Sequence, residues 1–543
     1  MEISTVKKME KVALKESGID FMRLGMALFF MVAVLSYSFL STGGIPNNMF
    51  LAIAALFGAY MAMNIGANDV ANNVGPAVGS KALSMGGAIV IAAIFEASGA
   101  LIAGGDVVKT IKKGIIDISA FGTQTDSFIW AMMAALLAAA VWLNFATMAK
   151  APVSTTHSIV GGVMGAGVAA AGFSIVAWGT MGKIAASWII SPLLGGVVAA
   201  LFLFSIKKTM VYKENKVKAA TMWVPIFVAI MSWAFVTYLT LKGLSKVWPS
   251  IVNVFVFLPD EKSPSFMVAS ILGLVVAAVV YIIAKQAVLK KADKIENSRA
   301  GVNALFTVPL IFAAALLSFA HGANDVANAI GPLAAISDAV MTGGISTDAG
   351  IPLWVMAVGG LGIALGLALY GPKLIRTVGS EITELDQMRA FSVAMAASIT
   401  VIIASQLGLP VSSTHIAVGG IFGVGFLREY LEGAEQKDDI ALEKEHLHDE
   451  KLVLKALNSE LKALDVKVDK QKEDYIRVVD LYKMIDEEET KIKESKKHLK
   501  TAQKVQYVKR DAVKKIIAAW IITVPAAALL SAVIYFMIRG IVL

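Results

Sequence analysis

Two short motifs hold most of the chemistry-bearing residues of this chain, and each occurs twice. Residues 66–76 read GANDVANNVGP and residues 322–332 read GANDVANAIGP, while residues 152–167 read PVSTTHSIVGGVMGAG and residues 410–425 read PVSSTHIAVGGIFGVG. The first pair holds an Asn-Asp-x-x-Asn arrangement: Asn68, Asp69 and Asn72, then Asn324, Asp325 and Asn328. Carboxylate and amide oxygens one helical turn apart, beside backbone carbonyls that nearby glycines could free, suit a hard cation such as sodium. The alternative for either copy alone is an aspartate satisfied by neighbouring helices or used as a helix cap. In the second pair a proline, Pro152 or Pro410, precedes hydroxyls at cap positions: Ser154, Thr155 and Thr156, then Ser412, Ser413 and Thr414. Helix N-termini with hydroxyl donors favour an anion, tetrahedral oxyanions in particular. Ordinary capping would explain one such motif; two opposed copies point to caps converging on one place.

These polar residues lie beside or inside apolar runs. An unpaired aspartate there costs on the order of 2.5–3.5 kcal/mol on insertion scales, so something must offset Asp69 and Asp325. Two aspartates beside an anion would repel it unless cations or protons neutralise them, and cotransport follows from that charge count. Glu96, in IAAIFEASGALIAGG, adds a third carboxylate with a possible coupling role. His157 and His415 follow the hydroxyl runs and read more readily as packing residues, and His321 is ambiguous. The lysines of KTIKKGIID (109–117) could attract anions or simply be solvated.

The elements that must position these groups are membrane helices. Among 543 residues 57% are hydrophobic and only 17% charged, with a mean hydropathy of +0.70, which a soluble core cannot use. No cysteine is present, which excludes disulfides, thiolate metal sites and iron–sulfur clusters. The net charge of +8 comes from basic clusters flanking apolar runs, such as residues 207–218 and 285–299; these are topology signals rather than a nucleic-acid surface. Thirteen apolar windows qualify as spans, of which 157–173 and 414–427 are short. The motif pairs recur at offsets of 256 and 258 residues, so the chain contains two homologous halves. Span counting makes them inverted, an architecture common among secondary transporters.

The expected fold is therefore an all-α polytopic membrane protein with two inverted-topology repeats, broken helices and hairpins. It comprises a cytoplasmic N-terminus and extra helix (1–49), a first repeat (50–221), linking spans and a cytoplasmic loop (222–302), a second repeat (303–428), a charged insertion (429–511) and a final span (512–543). The insertion carries apolar residues at seven-residue spacing, among them Leu447, Leu454 and Leu461 and, on a second stripe, Leu457 and Leu464. That pattern makes a cytoplasmic coiled-coil seam, either a dimerising rod or an antiparallel hairpin packed on itself.

With IFEASG (94–99), KKGIID (112–117) and AAWIITVPAAALLSAV (518–533), the duplicated motifs closely resemble the inorganic phosphate transporter family, PiT. The resemblance implies twelve core spans and secondary transport of phosphate, driven by sodium or protons, in the cell (inner) membrane, with no cofactor and no enzymatic activity. It implies that Asp69, Asn72, Asp325 and Asn328 serve cations and that Ser154, Thr155, Thr156, Ser412, Ser413 and Thr414 surround phosphate. GANDVAN in both halves resembles the sodium-coupled branch. The extra N-terminal helix and the charged insertion depart from the common core, and FSVAMAASITVIIASQLG (391–408) lacks a glutamate carried by sodium-coupled animal members. A homodimer is expected. The alternatives are a proton-coupled phosphate or sulfate permease and, more remotely, a membrane scaffold or sensor acting through its coil.

Overall fold

The computed structural model describes residues 3–149, 153–245, 247–255, 258–259, 261–345, 350–381, 385–467, 471–504, 508 and 510–542. Pro152 lies outside the described residues. In chain order the helices are α1 (Ile3–Ser41), α2 (Asn48–Asn68), α3 (Val70–Gly79), α4 (Met85–Ala103), α5 (Gly105–Lys113), α6 (Thr125–Met148), α7 (Thr155–Ala171), α8 (Trp178–Ile206) and α9 (Lys216–Gly243). They continue as α10 (Trp248–Val254), α11 (Phe266–Ala292), α12 (Arg299–Leu305), α13 (Thr307–Thr342), α14 (Leu353–Glu381), α15 (Gln387–Gln406), α16 (Ser413–Val466), α17 (Lys472–Lys504) and α18 (Arg510–Val542). Among the described residues no strand forms beyond one isolated bridge, Ile116 to Val176. An all-helical chain is what hydrocarbon demands, because a helix satisfies its own backbone. Side-chain caps start several of the helices: Ser84, Ser265 and Ser298 accept the amides of Gly87, Val268 and Gly301, and Asp386 accepts that of Arg389.

Among the described residues, eleven helices are long and apolar enough to cross a membrane. The two short windows expected from sequence fall outside that set. Of residues 157–173, all but the last two belong to α7, 17 residues long, and 414–427 form the first turns of the 54-residue α16, whose remainder is charged. Large apolar side chains such as Phe29, Leu40, Ile283 and Leu529 are exposed on the outer helices, where lipid can cover them. α13 is buried along most of its length and sits at the centre.

Four close helix pairs run through this centre: α2 with α14, α4 with α13 and α7 with α18, and α8 with α16, where a Cβ on Gly419 or Gly423 would overlap the backbone of Pro192 or Gly196. The contacts repeat in register. A Cβ on Gly66 would overlap the Ile363 carbonyl, and one on Gly322 would overlap the Glu96 carbonyl; reciprocally, Gly366 meets Met63 and Gly99 meets Phe319. Gly66 and Gly322 are 256 residues apart, as are Met63 and Phe319, while Gly99 and Gly366 are 267 apart, as are Glu96 and Ile363. Small residues that let two backbones touch are how helices associate without a hydrophobic drive.

The motif glycines are therefore not helix breakers. α2 passes into α3 at Asp69, whose backbone stays in the right-handed helical region (φ −84°, ψ −34°) and whose amide still reaches the Ile65 carbonyl at 2.9 Å. α13 runs through the second motif without interruption and keeps Pro332 inside it. The break expected from sequence does occur ahead of the second hydroxyl motif, where α15 ends and Gly408 (φ +65°) and Pro410 precede α16.

Residues Gly425–Lys509 form a separate compact unit. Within it the end of α16 packs antiparallel on α17: Leu457, Leu461 and Leu481 are buried together, flanked by Leu464, Val478 and Ile485, and the exposed Arg477–Glu460 pair bridges the two helices at 2.8 Å. The apolar face of α16 thus packs on α17 within one chain, the hairpin of the two arrangements considered. The hydrogen bonds from Arg477 hold the Glu460 carboxyl below its usual range. This contribution is present above the ordinary carboxylate range and is lost as pH falls through the depressed value. Leu481→Ala should cost the hairpin about 2–5 kcal/mol. In the full chain it should accelerate protease cleavage within 425–509, whereas Val479→Ala, at a position 55% exposed, should leave the cleavage rate unchanged.

Candidate functional site

Both GANDVAN segments and both hydroxyl segments converge at the bundle centre, where Asn68, Asp69, Asn72, Asn324, Asp325, Asn328, Ser154, Thr155, Thr156, Ser412, Ser413 and Thr414 are all buried. Two of the six hydroxyls cap helices: Ser154 Oγ accepts the His157 amide at 3.1 Å and Ser412 Oγ accepts the His415 amide at 3.3 Å. The others lie in the first turn and are donors. Thr155 donates to Asp69 Oδ2 at 2.7 Å and Ser413 to Asp325 Oδ2 at 2.8 Å, so each aspartate takes a hydroxyl from its own half. Asn72 donates to Thr414 Oγ1 at 2.9 Å and Asn328 to Thr156 Oγ1 at 3.1 Å, so each asparagine reaches into the opposite half. Thr414 also donates to Asp69 Oδ1 at 3.1 Å, and Thr156 to the Val411 carbonyl at 2.9 Å. Carboxylates and hydroxyls, read from sequence as separate cation and anion ligands, here form one interlocked cluster.

The remaining amides are held by residues that the motif reading did not include. Asn68 donates to Thr147 Oγ1 at 2.9 Å and Asn324 to Ser405 Oγ at 3.0 Å. Thr147 and Ser405 are 258 residues apart, the spacing of the hydroxyl motifs, so the repeat offset contained the signal. In all four motif asparagines the NH2 group is used and the amide oxygen meets no donor; Asp325 Oδ1 is likewise without one. Buried oxygens normally have partners. A set of buried, partnerless oxygens around two carboxylates has the donor chemistry of a hard cation.

The symmetry fails at one place. His321 is the counterpart of Ile65, and Glu96 that of Ile363. His321 Nδ1 lies 2.6 Å from Glu96 Oε2, and its Nε2 lies 2.7 Å from Asp325 Oδ2. Asn73 donates to the other Glu96 oxygen at 2.8 Å. Asp69, His321 and Asp325 together offer ligand atoms within 4.8 Å of one another; the amide oxygens around them favour sodium-like ions over the sulfur- and nitrogen-rich sets that zinc takes. His157 and His415 have a different place: His157 packs on Trp188 (ring centroids 3.9 Å) and edge-on to His415 (4.5 Å), which stacks on Trp520 (3.6 Å). They behave as ring packing between the hydroxyl helices and their neighbours.

A bundle of membrane-spanning helices whose buried centre presents oxygen ligands and hydroxyl donors, drawn equally from two homologous halves, defines a polytopic membrane transport protein rather than an enzyme. The profile of the phosphate transporter family matches residues 65–531, and the chain belongs to that family. It is 50% identical over 548 residues to a Helicobacter pylori protein named "Putative phosphate permease", covering 98% of both chains. A Pyrococcus abyssi protein of the same designation is 38% identical over 378 residues, 70% of this chain and 89% of its own. A solved structure of a sodium-dependent phosphate transporter superposes with a TM-score of 0.71 at 30% identity, covering 91% of this chain and 99% of that one.

Proposed function

We propose that the protein is a secondary symporter that moves inorganic phosphate with sodium by alternating access. On this reading Asn68, Asp69, Asn72, Asn324, Asp325 and Asn328 hold sodium and the six hydroxyls receive phosphate. Glu96, through His321, sets the charge at Asp325. The two halves are inverted repeats in the cell membrane, with the N-terminus and residues 429–511 cytoplasmic, and the chain assembles as a homodimer. The supporting observation is the cluster itself: Thr155, Ser413 and Thr414 spend their hydroxyl hydrogens on Asp69 and Asp325.

Coupling follows from this competition. A hydroxyl has one hydrogen; while it serves a carboxylate it cannot serve an anion. Sodium drawn to the carboxylates and the free amide oxygens takes over their negative charge, releases the hydroxyl donors and removes the repulsion that two carboxylates exert on phosphate. Each hydroxyl–carboxylate bond is worth about 1.5–3 kcal/mol as a hydrogen bond to a charged group, so anion binding before the cation is strongly disfavoured. The solved relative described as a sodium-dependent phosphate transporter supports sodium as the coupling ion.

The test is radiolabelled phosphate uptake into proteoliposomes under imposed gradients. Uptake should require inward sodium, ignore a pure proton gradient and tolerate a moderate sulfate excess. Uptake driven by protons without sodium would refute the coupling, and equal competition by sulfate would refute the substrate.

A further inference from the structure

A cavity of about 490 Å³ lies between α9, α11 and the start of α13, and its described lining is apolar except for Ser232 and Lys291. Three stretches of equal length make most of its wall: 224–235 of α9, 280–291 of α11, and 305–316 at the junction of α12 and α13. Each rises roughly 17 Å at 1.5 Å per residue, about half of the ~30 Å hydrocarbon thickness. The cavity therefore has the depth of one leaflet.

The residues placed along these helices explain the space. α9 and α11 pack directly on each other: a Cβ on Gly273 would overlap Thr237 Oγ1 and press on the Trp233 backbone, and Trp233 donates to Ser270 Oγ at 3.1 Å. The pair closes on α13 where Phe319 meets the rings of Phe235 and Tyr238 edge-on, at 5.3 and 6.2 Å. On the other side of that contact the wall includes the short side chains of Ala284, Ala287 and Ala315, and the helices stand apart. Val224, Met231 and Leu316 in the wall are buried, whereas Ile283, Val308 and Phe312 are exposed, so the cavity opens on a surface that lipid covers. An apolar space of this size with one cation in its lining suits a ligand with a hydrocarbon body and an anionic head.

Lys291 stands at one end of the lining, in the last turn of α11. The start of α9 lies at the same end, because the Val217 amide donates to Asn297 Oδ1 at 3.2 Å and Asn297 Nδ2 donates to the Glu214 carbonyl at 2.9 Å. Lys213, Lys216 and Lys218 of one segment and Lys290, Lys291 and Lys294 of the other thus share this face with three exposed carboxylates, Glu214, Asp293 and Glu296. Among the described residues none of these six lysines pairs with a carboxylate. Basic pockets between spans at the membrane surface suit the phosphate groups of anionic lipids.

We propose that this cavity is a binding site for an anionic phospholipid: one acyl chain lies between α9, α11 and α13, and the phosphate group rests on Lys291 and its neighbours. The lipid completes the packing beside α13, the helix that carries Asn324, Asp325 and Asn328. The site does not depend on the transport reading, and its test needs no phosphate uptake.

The full chain in phosphatidylcholine nanodiscs is given a trace of phosphatidylglycerol that carries a photoactivatable diazirine near the end of one acyl chain. Crosslinks should map to 280–291 and 305–316. Unlabelled phosphatidylglycerol should displace the probe about fivefold or more better than added phosphatidylcholine, fivefold being the roughly 1 kcal/mol that one lysine supplies near an anionic headgroup. Lys290→Gln/Lys291→Gln/Lys294→Gln, at exposed side chains, should remove that preference and leave the fold intact. Ala284→Trp should fill the cavity and abolish the crosslinks, whereas Val279→Trp, at a position 53% exposed and outside the lining, should not; melting curves identify a tryptophan variant that fails to fold, and the lysine variant then decides.

Equal displacement by the two lipids overturns the proposal, as does a preference that survives the triple substitution. So do crosslinks spread evenly over lipid-facing residues such as Val279, or displacement of the probe by inorganic phosphate, which would make the lysines a site for the free anion.

Discussion

On the sodium-coupled function proposed above, Asp325→Asn should abolish sodium-driven phosphate uptake in a protein that remains folded, and Asp69→Asn should do the same. The substitution changes charge and hardly changes shape. The amide oxygen that replaces Asp325 Oδ2 can still accept from Ser413, and the one that replaces an Asp69 oxygen can accept from Thr155 or Thr414. A charge buried in the membrane is also removed, which by itself favours insertion by roughly 2.5–3.5 kcal/mol. Loss of transport thus cannot be assigned to loss of fold. On the proposed mechanism, removing the charge removes the reason for sodium to bind among the partnerless amide oxygens, and with it the release of the hydroxyl donors. A fall in uptake of more than about 100-fold is expected, equivalent to about 2.7 kcal/mol of barrier. Thermal melting supplies an independent readout. Sodium at about 100 times its dissociation constant should stabilise the parent protein by about 2.7 kcal/mol, and that sodium-dependent rise should be missing from both variants. Uptake above a tenth of the parent level in either one would exclude its carboxylate from the coupling site.

What was legible in the sequence was whatever the duplication wrote twice. The two aspartates, four asparagines and six hydroxyls come from motifs at offsets of 256 and 258 residues, and all twelve are buried at the bundle centre. The same offset also connects Thr147 with Ser405, which hold Asn68 and Asn324. What was illegible was the departure from symmetry. His321 has Ile65 for a counterpart and acquires its partners only because α4 of one half crosses α13 of the other, which brings Glu96 within 2.6 Å. Its spacing of four from Asp325 put both on one helix face, but one chain gives no sign of a carboxylate arriving from 225 residues away. The glycines were misread for a related reason. A glycine beside polar residues looks like a place where the helix opens, and the crossing that uses its missing side chain lies in another segment. The apolar stripes were visible, yet a seven-residue period does not say whether the seam closes within one chain or between two.

Gly322→Ala and Gly66→Ala should be among the most damaging single substitutions in the chain, although neither touches a ligand and each adds one methyl group. On Gly322 that methyl would overlap the backbone carbonyl of Glu96, and on Gly66 that of Ile363. Backbone cannot swing aside as a long side chain can, so the helices must separate. Overpacking of a close-packed core costs typically 1–3 kcal/mol, and more when the obstacle is rigid. Separation of α13 from α4 would also pull Glu96 from His321, since the contact lies one residue from the histidine and at the glutamate itself. Separation of α2 from α14 would act three residues from Asp69 without breaking an equivalent polar pair. Gly322→Ala should therefore lose both stability and uptake, while Gly66→Ala loses stability at least as strongly as it loses uptake. Gly25→Ala and Gly86→Ala, where an added Cβ meets nothing within 4 Å, are the controls and should melt with the parent protein. Melting curves in detergent, read beside uptake by the variants that survive purification, check the ordering. If Gly322→Ala melted with those controls, the close crossing of α13 and α4 would not be what holds the two halves together.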